Sequence, residues 1–272
     1  MDAYRELISM SALPVNYSFR STKQEGQIIA HPHWHEAVEV LYINQGQAMQ
    51  QLDGVQFPLS EKDIVIIWKN QIHSTISLPG STCEIQVFQL SYPDVPELVP
   101  PLHFYAPVRN TDPMYTQVYQ IISHLSEELK RKETAYEYLV KAAVYQLYAV
   151  VIRNLALLPA DLNRPSSLKE PVMKAFHYLE ENYASPITLP DAARAVHLSV
   201  AQFMRIFKQA SGMTYKQYLN FYRVEKSTEL LRQGQSVTET AFACGFSNVN
   251  TFIRLFRKFK ASTPAQFAQK RN

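Results

Sequence analysis

The chain has little cysteine. Cys83 and Cys244 are the only two in 272 residues, they stand far apart, and neither belongs to a C-x-x-C pair. A disulfide framework and a cysteine-rich zinc finger are therefore excluded, and a reducing, cytoplasmic setting is expected. No run approaches the roughly eighteen apolar residues of a membrane-spanning helix. Met1–Met10 lacks the charged-then-apolar order of a secretory signal, so no membrane partner is expected. A P-loop, a dinucleotide fingerprint and a nucleophile elbow are also missing, so the expectation is no organic cofactor and no enzyme. Charged residues make up 19% and hydrophobic ones 46%, which is globular composition rather than general disorder.

What is present is unevenly distributed. The net charge of +3 conceals an acidic part and a basic one. Residues 1–167 carry 12 Lys and Arg against 17 Asp and Glu, net −5, whereas residues 168–272 carry 15 against 7, net +8. A basic block of about a hundred residues suits a polyanionic partner, here double-stranded DNA.

The first hundred residues predict short strands at Ala37–Ile43, Ala48–Leu52, Ile64–Trp68, Ser74–Leu78 and Glu84–Leu90, with Asp53-Gly54 as a hairpin signal. Strands without intervening helices predict an antiparallel β-barrel or sandwich. Pro93, Pro96, Pro100, Pro101 and Pro107 then mark an irregular connection. Asp112-Pro113 reads as the cap of a first helix with Met114, Val118, Ile121, Ile122, Leu125 and Leu129 on one face. A second helix is expected from about Glu133 to Leu157, with Tyr136, Val140, Ala143, Val144, Leu147, Val151 and Leu155 on one stripe. That stripe either packs on its own sheet or makes a homodimer. Pro159, Asn163 and Pro165 form a polar linker. The fold class is α+β: a sensing domain over 1–110, a helical dimerisation hairpin and linker over 111–166, and an all-α domain over 167–272.

The basic block repeats itself with a register of forty-nine residues. Phe203, Arg205, Phe207, Thr214 and Gln217 fall on Phe252, Arg254, Phe256, Thr263 and Gln266. Upstream, Ala192 meets Ala241, and Ser199 meets Asn248. Each copy has a first helix, a turn at His197 or Gly245, a capping residue and a second helix: a double helix-turn-helix. Phe203, Ile206 and Phe207 share one face of that second helix, leaving Ala201, Gln202, Met204, Arg205 and Lys208 for a partner. The second copy offers Val249, Asn250, Thr251, Ile253, Arg254 and Arg257 in the same way. Between the copies, Tyr215 to about Arg232 makes a connecting helix of roughly 27 Å at 1.5 Å per residue. Two such helices could then enter major grooves about one turn of DNA apart, about 34 Å.

The stretches Leu198–Gly212 and Gly245–Pro264 resemble the signature of AraC/XylS-family transcription regulators over about Val172–Phe267. The resemblance implies base contacts from Ala201, Met204 and Arg205 in one groove and from Val249, Asn250, Ile253 and Arg254 in the next. It also implies promoter activation through RNA polymerase. His197 and Ala261 stand where the family usually has glycine, and Phe267-Ala268 replaces a usual tyrosine–arginine pair. His197 is therefore expected in a left-handed backbone conformation.

His33-Trp34-His35, Glu39, Gly46 and the later His73 resemble the cupin pattern H-x-H-x3-E-x6-G, and the small effector-binding barrel that precedes the reader in many AraC/XylS regulators. Three readings of the His/Glu set stay open: a polar lining for a small-molecule effector, a metal site, or a group that closes the barrel mouth. The effector-binding set is His33, Trp34, His35, Glu39, Tyr42 and His73, and Trp34, Tyr42 and Trp68 offer faces for a sugar. The expected function is a DNA-binding transcription activator answering to an effector. The alternative is a metal-dependent cupin enzyme fused to a DNA-binding domain.

Overall fold

The computed structural model describes residues 13–22, 25–91, 106–154 and 169–269. They fall into two compact units that divide at Ser167. The N-terminal unit has eight strands: β1 (Val15–Ser21), β2 (Ile28–His33), β3 (Val38–Gly46), β4 (Ala48–Leu52), β5 (Val55–Leu59), β6 (Ile64–Ile67), β7 (His73–Ser77) and β8 (Cys83–Leu90). Two helices follow, α1 (Tyr115–Arg131) and α2 (Tyr136–Asn154). The strands form two antiparallel four-stranded sheets ordered β1-β8-β3-β6 and β2-β7-β4-β5. The expected barrel is thus a sandwich whose sheets are not hydrogen-bonded into a closed ring.

Strand parity gives the first sheet two different buried faces. Leu41, Ile43, Val65, Ile67, Ile85 and Val87 meet Ala48, Leu52, Phe57 and Leu59 of the second sheet. Val38, Val40, Ile64, Ile66, Phe88 and Leu90 alternate with them and face the helices. Asp53 and Gly54 both have positive φ, 46° and 89°, the conformation of the two-residue hairpin their sequence predicts. Strand β1 was not expected, and β2 and β5 were not among the runs given bounds, although the Asp53-Gly54 hairpin signal implies β5. Pro32 and Pro58 lie inside two of them, and β1 is an edge strand of mostly polar residues that pairs only with β8.

The helix boundaries carry two corrections. Asp112 does not cap α1; its carboxylate accepts from the Arg109 backbone N–H, and Met114 occupies the cap without a side-chain bond. The second helix starts three residues late, because Lys132 and Ala135 take positive φ. The stripe Val140, Ala143, Val144, Leu147 and Val151 is buried in the core against the unit's own sheet, with Tyr136 packed at its edge. Of the two arrangements open from sequence, the first is the one adopted. Leu155 and Leu157, the four prolines at 93, 96, 100 and 101, and the linker at 159–165 lie outside the described residues.

The C-terminal unit is helical: α3 (Lys169–Asn182), α4 (Leu189–Ala195), α5 (Val200–Ser211), α6 (Tyr215–Arg232), α7 (Val237–Ala243), α8 (Val249–Lys260) and α9 (Pro264–Gln269). Side-chain caps punctuate it. Thr188 with Asp191, Ser199 with Gln202, Thr214 with Gln217 and Ser236 with Glu239 form reciprocal capping boxes, and Asn248 caps α8. Each cap satisfies N–H groups that a helix start leaves unpaired, which lets seven helices begin within a short stretch. Phe176, Phe203 and Phe207 centre the first half, Phe246, Phe252 and Phe256 the second.

Candidate effector and metal centre and candidate nucleic-acid interface

Four side chains of the N-terminal unit meet between its sheets. His33 ends β2 opposite His73 at the start of β7, so both come from the second sheet. Glu39 lies in β3 of the first sheet, on the same face as Leu41 and Ile43. His35 stands beyond the end of β2, not in a continuous strand with His33, and turns inward with its Nδ1 2.9 Å from the Ala37 carbonyl. Asp53 and Gln71 hold the loop before β7 through the backbone N–H groups of Ile72 and Trp68, and Asn70 N–H donates to the His35 carbonyl.

The four side chains are 1–3% exposed, and one donor atom from each lies within 4.8 Å of all the others. His35 Nε2 is 3.2 Å from Glu39 Oε2 and His73 Nε2 is 3.5 Å from Glu39 Oε1. Gln89 Nε2 donates to Glu39 Oε2 at 3.0 Å. Burial alone would raise the Glu39 carboxyl, but the bonds and charges of His35 and His73 outweigh it and hold the group well below its usual range. Burial, with His33 beside it, drives His73 down to about 4 against the opposing pull of Glu39.

Two expected members of this group stand elsewhere. Tyr42 follows the parity of Val40, lies on the helix face of β3 and packs on Tyr119 at 5.4 Å between ring centroids. Trp68 is also on that face, edge-on to Tyr148. Trp34 is buried. Trp34 and Trp68 are thus enclosed, and Tyr42 is half-buried beside Tyr119. Gln89, which fixes Glu39, was not foreseen, since an inward glutamine carries no mark in the strand pattern.

In the C-terminal unit the repeat is structural as well as sequential. Helices α5 and α8 each have twelve residues and start forty-nine apart. Their preceding helices correspond at forty-eight, because Leu198 N–H bonds the Ala193 carbonyl as Phe246 N–H bonds that of Ala241. Ala193, not Ala192, is thus the partner of Ala241, and Ser247 is one extra residue between turn and cap. His197 (φ 56°) and Gly245 (φ 79°) occupy the same left-handed turn position, and Ala261 ends α8 with φ 51°.

On α5, Phe203, Ile206 and Phe207 are buried while Ala201, Gln202, Met204, Arg205 and Lys208 are exposed. On α8, Asn250, Thr251, Arg254 and Arg257 are exposed, and Val249 and Ile253 are half-buried against the core. The Gln202 carbonyl oxygen accepts from Ser199, so this side chain serves the cap. Among the described residues no carboxylate lies within ion-pair distance of Arg205, Lys208, Arg254 or Arg257. Two other cations are engaged internally. Arg223 donates to the carbonyls of Tyr183 and Ser185, and Lys260 meets both carboxylate oxygens of Glu225 at 2.7 Å. Two exposed cationic helix faces starting from capped N-termini can offer forked donors to base edges and phosphates.

Residues 20–148 match the family model of an AraC-like ligand binding domain, and residues 192–270 that of a helix-turn-helix domain. The HTH-type transcriptional activator RhaS of Escherichia fergusonii is 25% identical over 253 residues, covering 88% of both chains. The HTH-type transcriptional activator RhaR of Mannheimia succiniciproducens is 25% identical over 244 residues, covering 86% of both. Among solved structures, ToxT of Vibrio cholerae bound to (E)-4-(8-methylnaphthalen-1-yl)but-3-enoic acid is similar with a TM-score of 0.51 at 12% identity, covering 94% of this chain and 98% of that one. ToxT with a bound unsaturated fatty acid gives 0.50 at 12% identity, covering 93% and 94%. This second likeness is one of fold.

Proposed function

Because the chain belongs to the AraC family of transcription regulators, we propose that it activates promoters by reading two successive major grooves with α5 and α8 while its N-terminal unit answers to a small effector. Ala201, Gln202, Met204, Arg205 and Lys208 read the first groove; Val249, Asn250, Thr251, Ile253, Arg254 and Arg257 read the second. The observation that carries this reading is the doubled, capped helix whose arginines, Arg205 and Arg254, are exposed at one register, with no acidic partner among the described residues. In this reading Val249 and Ile253, half-buried against the core, offer apolar contact to bases, and Gln202, which accepts from the Ser199 cap, also positions the helix end. RNA polymerase is the partner through which activation works.

The chain acts as a homodimer through the outward face of α2, since the inward stripe is spent on its own sheet. Tyr138 (75% exposed), Leu139, Ala142 and Tyr145 lie on that outward face. His33, His35, Glu39 and His73 are the polar centre of the effector unit. The chain is not an enzyme, and its curated relatives are regulators.

The test is selection of bound sites from random double-stranded DNA by the full chain, followed by transcription from a selected promoter. The reading requires a two-part site spanning adjacent grooves and more transcript when the chain is present. Unselective binding, or a selected site confined to one groove, would overturn it.

A further inference from the structure

We propose that His33, His35, Glu39 and His73 hold a single divalent first-row transition-metal ion. Their donor atoms lie within 4.8 Å of one another. An ion about 2.0–2.2 Å from each nitrogen and oxygen spans up to about 4.2 Å between opposite ligands, so one ion fills the space with small inward adjustments.

The hydrogen bonds around the cluster make the same assignment. Nδ1 of His33, His35 and His73 lies 2.7, 2.9 and 2.8 Å from the carbonyls of His31, Ala37 and Gln71. Carbonyl oxygens only accept, so each Nδ1 carries the ring hydrogen and each neutral ring keeps a lone pair on Nε2. Nε2 of His35 and His73 in turn face the two oxygens of Glu39, which also only accept. A metal ion in this closed interior takes the place that a ring proton otherwise fills between each Nε2 and the carboxylate, and makes every one of these contacts attractive. Backbone carbonyls on the far ring nitrogen are the usual outer support of metal-binding histidines, and Gln89 gives Glu39 the same support.

Closure and donor chemistry set the class of ligand. With every member 1–3% exposed, no face is open to a sugar-sized molecule, whereas a bare ion fits. Three imidazoles and one carboxylate suit zinc, iron, cobalt or nickel, whereas calcium and magnesium prefer all-oxygen sets. The ion would clasp the two sheets, since His33 and His73 belong to one and Glu39 to the other. This deepens the effector reading by naming the ligand of its polar centre. It rests on that reading only for the link to transcription.

The full chain, stripped with a chelator, is titrated with Co²⁺ alone and then with Zn²⁺. Visible absorption and metal content after gel filtration are the readouts, and DNA binding is measured separately, so failure of either reading is distinguishable from failure of the other. One Co²⁺ per chain, with a d–d band that Zn²⁺ displaces, is expected. Glu39→Gln keeps the shape and should weaken binding more than about tenfold; His73→Ala should abolish the band and Cys83→Ala should leave it unchanged. The wild-type titration decides even where a histidine variant does not fold. Less than stoichiometric binding by the folded wild type at micromolar Co²⁺ or Zn²⁺, or an unchanged band in His73→Ala, would overturn the proposal.

Discussion

Replacing Leu147 by alanine separates a core residue from a subunit contact. Leu147 is 1% exposed and lies in the core among Val118, Leu125, Val144 and residues of the first sheet. Leu→Ala at such a site loses transfer free energy and leaves a partly collapsed cavity, together about 2–5 kcal/mol. For a unit of this size each kcal/mol moves the melting midpoint about 2–4 °C, so the loss is roughly 5–20 °C. Tyr145, one half-turn away in sequence, is exposed and offers the contrast. Tyr145→Glu should stay within about 0.5 kcal/mol of wild type in monomer stability and, if α2 pairs outwardly, abolish the dimer. Urea unfolding and sedimentation on both variants give the answer. A Leu147→Ala chain with the wild-type midpoint but a lost dimer would show that the inward stripe, not the outward one, is the subunit contact.

Three further outcomes follow from the C-terminal unit. Lys260→Ala should lower stability by leaving half-buried Glu225 unpaired, with unfolding as the readout, whereas Lys216→Ala should mainly flatten the salt dependence of DNA binding. Gly245→Ala should destabilise by about 1–3 kcal/mol in thermal unfolding, because φ is 79° and a Cβ would stand 2.6 Å from the Tyr183 carbonyl oxygen. The carboxyls of Asp191 and Glu239 are held below their usual values by hydrogen bonds from Thr188 and Ser236. Their stabilising effect is present above the unfolded values and is lost as pH falls through the folded ones, so the unit should weaken below about pH 4. Thr188→Ala should reduce that acid dependence in a pH series of melting curves.

The reader was legible because caps and repeats are local. Ser199, Thr214, Ser236 and Asn248 announce helix starts through contacts three residues away, and paired phenylalanines declare the inward face. The single inserted residue, Ser247, was hidden because small alanines match at either register. In the N-terminal unit the residue types of the His/Glu set were readable. Their convergence was not, since it depends on His35 leaving the strand and on a loop held by Asp53 and Gln71. The face of Tyr42 stayed open, because parity assigns a face only once the neighbouring layer is known. Helix α2 carries apolar residues on two faces, and only the sheet beneath it decides which is core. The charge surplus likewise did not show that Arg223 and Lys260 are spent inside the bundle.

The central claim is that one chain reads two grooves with two copies of one helix. The most direct measurement is site selection from random DNA with Arg205→Ala and with Arg254→Ala, compared position by position with wild type. Each substitution should relax preference at its own cluster of base pairs by about 1–3 kcal/mol, the two clusters lying about one helical turn apart. Relaxation at the same base pairs by both variants, or at none by either, would contradict the account.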